Sequence, residues 1–340
     1  MTEPRDPAVP EPLQRRTYQA AELVRQHPGV LRNENKQVVF AIACPAGAVH
    51  SGRLEYSRWP EIPLPHPREV DPASAARLAM VRDGFYDYRP VLDPGVGVEW
   101  HVNFADPNLF YAYGSSFFAQ DEIQVAEHPV LGSLREALVA EGRPVTTIEN
   151  GRPTPVLVMG AERRVRITTA PGAESGGPSW LYGGMAFARA TADAVREATT
   201  RIDPPTISNI IAIVAPYGGR GRYQRDQIDL AISTAYSGFR AAVLESRRTA
   251  GPDALVAIHS GFWGCGAFGG NRVMMSLVQL VAADMAGLAR LVFHVGDPSG
   301  RTSVERALAL APDLATATST TELVARAEAL GLVWGVSDGN

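Results

Sequence analysis

The feature that most restricts what this chain can become is a turn, Ser260-Gly-Phe-Trp-Gly-Cys-Gly-Ala-Phe-Gly-Gly-Asn271, set between an apolar run at 254–259 and an amphipathic run at 272–286. It carries five glycines. Only glycine takes positive φ at several sites in succession and brings backbone close to a ligand with no Cβ in the way. A helix starting at Arg272 is expected to aim its free N–H groups and positive dipole end at whatever fills the turn, which suits a diphosphate. No Gly-Lys-Ser/Thr follows and the GxGxxG spacing is missing, so neither a Walker loop nor a dinucleotide fingerprint is present. Taken alone, a tight turn with no ligand and with Trp263 and Phe268 in the core remains the plain alternative.

The rest of the C-terminal half alternates strand and helix. Residues 207–215 read as a strand, and a helix from Asp226 places Ile228, Ala231, Ile232, Ala235, Phe239 and Val243 along one stripe. A strand at 254–259, a helix at 272–286, a strand at 291–295 and a helix near 321–330 follow. Such alternation predicts an α/β fold, a sheet with helices on both faces. Upstream, 13–26 reads as a peripheral helix, 38–43 as a buried strand and 59–72, with five prolines, as extended connection. Residues 73–84 read as helical and 96–104 as a strand. A helix is expected at 117–127, capped by Ser115 or Ser116 and stopped by Pro129. Short strands are expected at 155–160 and 164–168, a Gly/Pro/Ser-rich lid at 169–184 and a helix at 185–201. No internal repeat or compositional break divides the chain. The expectation is a disordered tail at 1–12 and one domain at 13–340, including an N-terminal helical extension at 13–95.

Composition excludes more than it selects. Hydrophobic residues at 45% and charged residues at 20% are ordinary for a globular protein. No stretch approaches the roughly 20 apolar residues of a membrane helix, and 1–12 has no hydrophobic signal core, so a cytoplasmic protein with no membrane partner is expected. Two cysteines, Cys44 and Cys265, allow neither a disulfide framework nor a cysteine-rich zinc site. His101, His128, His259 and His294 lack metal spacing and read as satisfied structural histidines; no metal and no cofactor are expected. A net charge of -4 argues against general nucleic-acid binding. The loop bearing Tyr217, Arg220, Arg222 and Tyr223 suits phosphate or adenine contacts, and solvated surface is the reading preferred for it.

A second segment carries acid chemistry. After a strand ending near Phe104 and a loop to Ser116, Asp121 and Glu122 are adjacent within a predicted helix. Neighbouring helical residues point about 100° apart, so at most one faces a ligand squarely. Like charges this close separate their proton affinities. A carboxyl beside a diphosphate cleft can protonate a leaving oxygen at an anomeric carbon and then activate water. Surface acids at a helix start are the bland reading.

Taken in order, Val102-Asn-Phe-Ala-Asp106, Ala119-Gln-Asp-Glu-Ile123, Ile211-Ala-Ile213 with Ala235-Tyr-Ser-Gly-Phe239, and Trp263-Gly-Cys-Gly-Ala-Phe-Gly-Gly270 with Gln279 resemble the poly(ADP-ribose) glycohydrolases over roughly 97–300. The resemblance implies a macrodomain-like three-layer α/β/α fold with a mixed sheet and ADP-ribose across the C-terminal strand ends. The family's catalytic glutamate falls on Glu122, with Asp121 beside it. Ligand contacts are implied at Asn103, Phe104, Asp106, Tyr113, Gly114, Ser115, Ser116 and Gln120. Facing them are Gly261, Phe262, Trp263, Gly264, Cys265, Gly266, Ala267, Phe268 and Gly269. Two departures stand out. The family's three consecutive glycines are replaced by about Tyr111-Ala112-Tyr113, and its Val-Asp-Phe-Ala-Asn becomes Val-Asn-Phe-Ala-Asp. Its adenine-covering tyrosine segment corresponds loosely to 166–184, where Trp180 or Tyr182 could stack. The implied activity is hydrolysis of the ribose glycosidic bond of mono- or poly-ADP-ribose, by a monomer acting on ADP-ribose or an ADP-ribosylated macromolecule. An ADP-ribose reader without catalysis, or a site for another nucleotide diphosphate, are the alternatives.

Overall fold

The computed structural model describes residues 10–65, 77–93, 95–169 and 181–338. Strands in chain order are β1 (Gln14–Gln19), β2 (Arg53–Arg58), β3 (Ala79–Arg82), β4 (Gly97–Ala105), β5 (Ile148–Glu149), β6 (Arg152–Pro153), β7 (Val156–Ile167), β8 (Thr199–Val214), β9 (Leu255–Ser260) and β10 (Arg290–His294). Eight form one sheet in the order β1-β2-β7-β8-β4-β9-β10-β3, and β5 pairs only with β6. From β8 to β3 every pairing is parallel, and β7, β2 and β1 continue antiparallel. The sheet is mixed, and its parallel strands all end at one edge, where the loops of an open α/β sheet gather their ligands.

The period-2 alternation of β8 divides the molecule into layers. Ile211 and Ile213 enter a core with the helices Arg225–Ala250, Arg272–Ala286, Pro298–Ala315 and Thr320–Ala329, whereas Ile210 and Ala212 enter one with Ala20–Gln26 and Val130–Ala140. Each fully buried aliphatic side chain contributes about 1.5–3 kcal/mol, so both faces of the central strand are committed. A third cluster joins the helix Glu34–Ala43 to Phe118, Phe187 and the end of β7. This is the expected three-layer α/β arrangement.

Several local expectations are corrected. Only Ala20–Gln26 of 13–26 is helical; Gln14–Gln19 is an edge strand antiparallel to β2. The apolar run at 38–43 is helix, because Asn33 caps it by accepting from the Lys36 N–H, and Val39 and Ala43 then bury one face at i, i+4 spacing. Ala79–Arg82 is strand, drawn into parallel pairing with β10; residues 66–76 lie outside the described residues. The two short strands at 155–168 are one strand, β7, with register shifts in its pairing to β8. The stretch 185–201 is two short helices, Gly184–Arg189 and Ala192–Ala198, running into β8. The helix expected at 117–127 spans Gln120–Glu127 and stops before Pro129 as expected, and Pro129 also caps the start of a further helix, Val130–Ala140. The helix Pro298–Ala315 was not foreseen. Residues 1–9 of the expected tail, and 170–180 of the expected lid with Trp180, lie outside the described residues. No described helix is long and apolar enough to cross a membrane.

Candidate active site

The turn after β9 is held from three directions. The Ser260 hydroxyl donates to Gln279 Oε1, and Gln279 Nε2 donates to the carbonyls of Gly261 (3.0 Å) and Met275 (3.1 Å), tying the turn to the helix Arg272–Ala286. Trp263 is fully buried and donates its indole N–H to Ile213 O at 3.0 Å. Within the turn, Cys265, Gly269 and Gly270 donate to Phe262, Gly266 and Gly264 carbonyls at 2.8–2.9 Å. Gly264 shows why glycine is required: its φ is +76°, and a Cβ there would lie 2.4 Å from the Ala215 Cβ.

One expectation about this turn changes. The Asn271 side chain accepts from the N–H groups of Val273 (3.0 Å) and Met274 (3.1 Å), so the helix caps itself there. Residues 261–268 line the cavity instead, together with Arg272. Arg272 lies over the Phe262 ring at 4.6 Å and donates to Asp297 at 3.0 Å. Gly269 does not line the cavity; a Cβ on it would meet Ser337 N at 3.0 Å. Burial pushes the Cys265 thiol up, which disfavours the nucleophilic thiolate.

Across the cavity, whose volume is about 710 Å³, stands the helix Gln120–Glu127. Its cap is Ala119, not a serine: Glu122 Oε2 reaches back to accept the Ala119 N–H at 3.0 Å. Gln120 serves the scaffold, accepting from Phe104 N (2.7 Å) and donating to Val102 O (3.1 Å), which pins the helix start to β4. Asn103 donates to Asp121 Oδ1 at 3.0 Å. Both Asp121 and Glu122 are buried and line the cavity. Burial, then the neighbouring Glu122 charge, pushes the Asp121 carboxyl up to about 8, against the pull of the Asn103 hydrogen bond. A carboxyl that keeps its proton at neutrality is a proton donor in waiting.

The connecting loop solves the absence of three glycines in its own way. Phe110 takes φ +52°, a left-handed conformation that bulky residues rarely adopt, and buries its ring completely. Tyr111 is thereby left 64% exposed, and it lines the cavity with Ala112 and Phe117. Tyr113, Gly114, Ser115 and Ser116 are not brought there. The Tyr113 hydroxyl donates to Glu136 (2.7 Å) and accepts from Val30 N (2.6 Å). Gly114 is glycine because a Cβ would fall 2.1 Å from Val30 O, and its carbonyl accepts from Arg32 and Asn33. Ser115 bonds locally to Ala112 O and Phe117 N. Of the remaining expected contacts, Phe104 and Asp106 line the cavity, whereas Asn103 acts through Asp121.

Of the third wall, sequence reasoning named only Tyr182. The segment after β3 brings Phe85, Tyr86 and Tyr88 to the cavity, and the Phe85 ring lies nearly parallel to that of Tyr182, with centroids 5.8 Å apart. The aromatic spacing of 85–88 was the available signal. Asp338 also lines the cavity, its amide donating to Gly266 O at 3.4 Å. Beneath this wall His259 bridges Glu99 (2.7 Å) and His294 (3.1 Å), so these two histidines are satisfied. His101 corrects the expectation, since both its nitrogens are buried without a hydrogen-bond partner among the described residues, whereas His128 donates from Nδ1 to Gln124 O at 2.8 Å and leaves only Nε2 unpartnered; burial holds both imidazoles neutral. Tyr223 is buried rather than solvated, stacked on Trp334 at 4.5 Å, while Tyr217 is exposed as expected. Among the described residues no cluster of His, Cys, Asp and Glu is arranged to hold a metal.

Residues 182–300 match the sequence profile of a family described as Poly (ADP-ribose) glycohydrolase, Macro domain fold. Among solved structures, the chain is similar to a poly(ADP-ribose) glycohydrolase from Thermomonospora curvata (13% identity, 80% of this chain and 97% of that one, TM-score 0.44). It is also similar to a poly(ADP-ribose) glycohydrolase from Deinococcus radiodurans in complex with ADP-ribose (11%, 87% and 93%, 0.38). A Trypanosoma brucei macrodomain in complex with ADP is similar over 88% of this chain and all of its own length (13%, TM-score 0.38).

Proposed function

Given a chain whose residues 182–300 carry the profile of the poly(ADP-ribose) glycohydrolase macro domain, we propose that it binds an ADP-ribose unit in this cavity and hydrolyses the glycosidic bond that attaches it. What carries the reading is one juxtaposition: a rigid glycine turn and a buried acid pair face each other across a single cavity. Turn backbone at 264–267 and Arg272 take the diphosphate. Phe85 and Tyr182 offer flat faces to the base. The acid pair supplies one proton to the leaving oxygen and later takes one from the attacking water, with Glu122 as the group in contact. Carboxylate and diphosphate stabilise the oxocarbenium-like transition state between those steps. A macromolecular target, a monomeric state and a cytoplasmic location belong to the same proposal.

The test incubates the protein with mono- and poly-ADP-ribosylated substrates and measures free ADP-ribose, with calorimetry on ADP-ribose, ADP, GDP and NAD alongside. Release by the wild type and none by Glu122→Gln is the expected result; equal release by both removes Glu122 from the mechanism. The exposed Tyr111 in place of a glycine favours a second reading, a reader that holds ADP-ribose without cleaving it. Tight binding with no release from any substrate would select it.

A further inference from the structure

The acid pair is supported from behind by a residue of the N-terminal extension. Lys36, on the helix Glu34–Ala43, is 2% exposed. Its ammonium donates to Tyr113 O at 2.9 Å and lies 5.0 Å from the Phe118 ring and 5.7 Å from that of Phe187. Those two rings stack on each other at 3.7 Å. Phe118 stands three residues before Asp121, so the cage is built on the segment that enters the acid helix. Lys36 does not line the ligand cavity; it lines a small hollow with Val125 and Ala126, which belong to that same helix.

A buried ammonium is costly unless compensated, and one carbonyl and two aromatic faces are partial compensation. The acids provide the rest: Glu122 and then Asp121 act on Lys36 by attraction, against a burial that lowers it to about 8. The other charged groups near the pair are Asp106, which opposes ionisation of Asp121, and Arg135 and Tyr182, which interact with Asp121 and Glu122 respectively.

We propose that Lys36 is the positioning residue of the acid pair: a caged ammonium behind the helix Gln120–Glu127 that supplies counter-charge to Asp121 and Glu122 without touching the ligand. The proposal rests on the hydrolytic reading of the cavity. Its charge can act at the pair because aromatic walls keep water from screening it. It also explains why the extension packs its helix against the end of β7 and the Phe118–Phe187 stack.

Lys36→Met keeps an unbranched side chain only one atom shorter and removes the charge. Both limbs of the pH profile of ADP-ribose release should move to higher pH by about half a unit to one unit, with ADP-ribose affinity changed less than about 2-fold, since the side chain is outside the cavity. Limbs that stay in place while thermal stability falls would make Lys36 a mere filler and overturn the idea. Should that variant fail to fold, wild type and Glu122→Gln are compared by NMR of the Lys36 side chain. Reciprocity requires the ammonium to lose its proton at lower pH in Glu122→Gln, and an unchanged titration also overturns the proposal. This second arm needs no turnover, so it separates failure of the charge relation from failure of the hydrolytic reading.

Discussion

The glycine turn and the acid helix face each other across one cavity but are stabilised by different means. The turn combines bonds within its own backbone, from Cys265, Gly269 and Gly270, with ties from Gln279 and from Trp263 to the neighbouring helix and strand. The acid helix is held by side chains, with Asn103, 18 positions away, donating to Asp121 and Gln120 bonded to Phe104 N and Val102 O, while Lys36 holds the Tyr113 carbonyl of the preceding loop from 77 positions away. A wall made of local backbone is rigid and is written in consecutive residues, whereas a wall made of long-range contacts can be tuned from several parts of the chain. On the proposed reading, binding belongs to the first and proton chemistry to the second.

Four substitutions can break or sharpen that division. Glu122→Gln should lower ADP-ribose release by at least about 100-fold while calorimetric affinity stays within a few-fold; affinity lost in parallel would show that the acid wall also binds. Gly264→Ala should do the reverse, weakening affinity by about 10-fold or more and lowering the thermal midpoint by several degrees. The residue must hold φ +76° with a Cβ pressed on Ala215, a strain of about 1–3 kcal/mol. An unchanged affinity would remove the turn from ligand binding.

Asp121→Asn tests the proton rather than the contact. Because folding raises Asp121 from 3.8 to about 8, the folded state keeps a proton that the unfolded chain releases. The stability from this group is therefore full at low pH and declines as pH rises towards 8. Asparagine mimics the neutral acid, so thermal unfolding followed across this window should show a flatter pH dependence than in the wild type; equal slopes would contradict the raised value. The smallest effect is expected from Tyr111→Ala, which opens the cavity rim: KM for ADP-ribosylated substrate should shift about 2- to 5-fold with kcat little changed, since an exposed ring contributes about 1 kcal/mol or less to a contact. Replacing Phe110 by glycine is a poorer probe, because relief of the strained φ is outweighed by about 3–5 kcal/mol for loss of a buried phenyl ring.

Much of the fold was legible because it is periodic. The Ile228–Val243 stripe, the helix Arg272–Ala286 and strands β4, β9 and β10 stand where their apolar spacing placed them. Short apolar runs were less decisive. Residues 38–43 fit strand or helix equally, and the Asn33 cap decided for helix; residues 79–82 became strand because β10 offered a parallel edge. In the site, the glycine turn and the acid pair could be named in advance, yet Tyr113 and Gly114 are held away from the cavity by contacts with Val30.

By itself the sequence determined the alternation of strand and helix, the glycine turn and the adjacency of Asp121 and Glu122, because each is a relation between residues close along the chain. Tertiary structure alone decided that Phe85, Tyr182 and Asp338 meet the turn in one cavity, that Arg272 rather than a bare helix end stands there, and that Lys36 is sealed behind the acids. Burial, screening and charge coupling depend on distance in space, and no local pattern of residues encodes that distance.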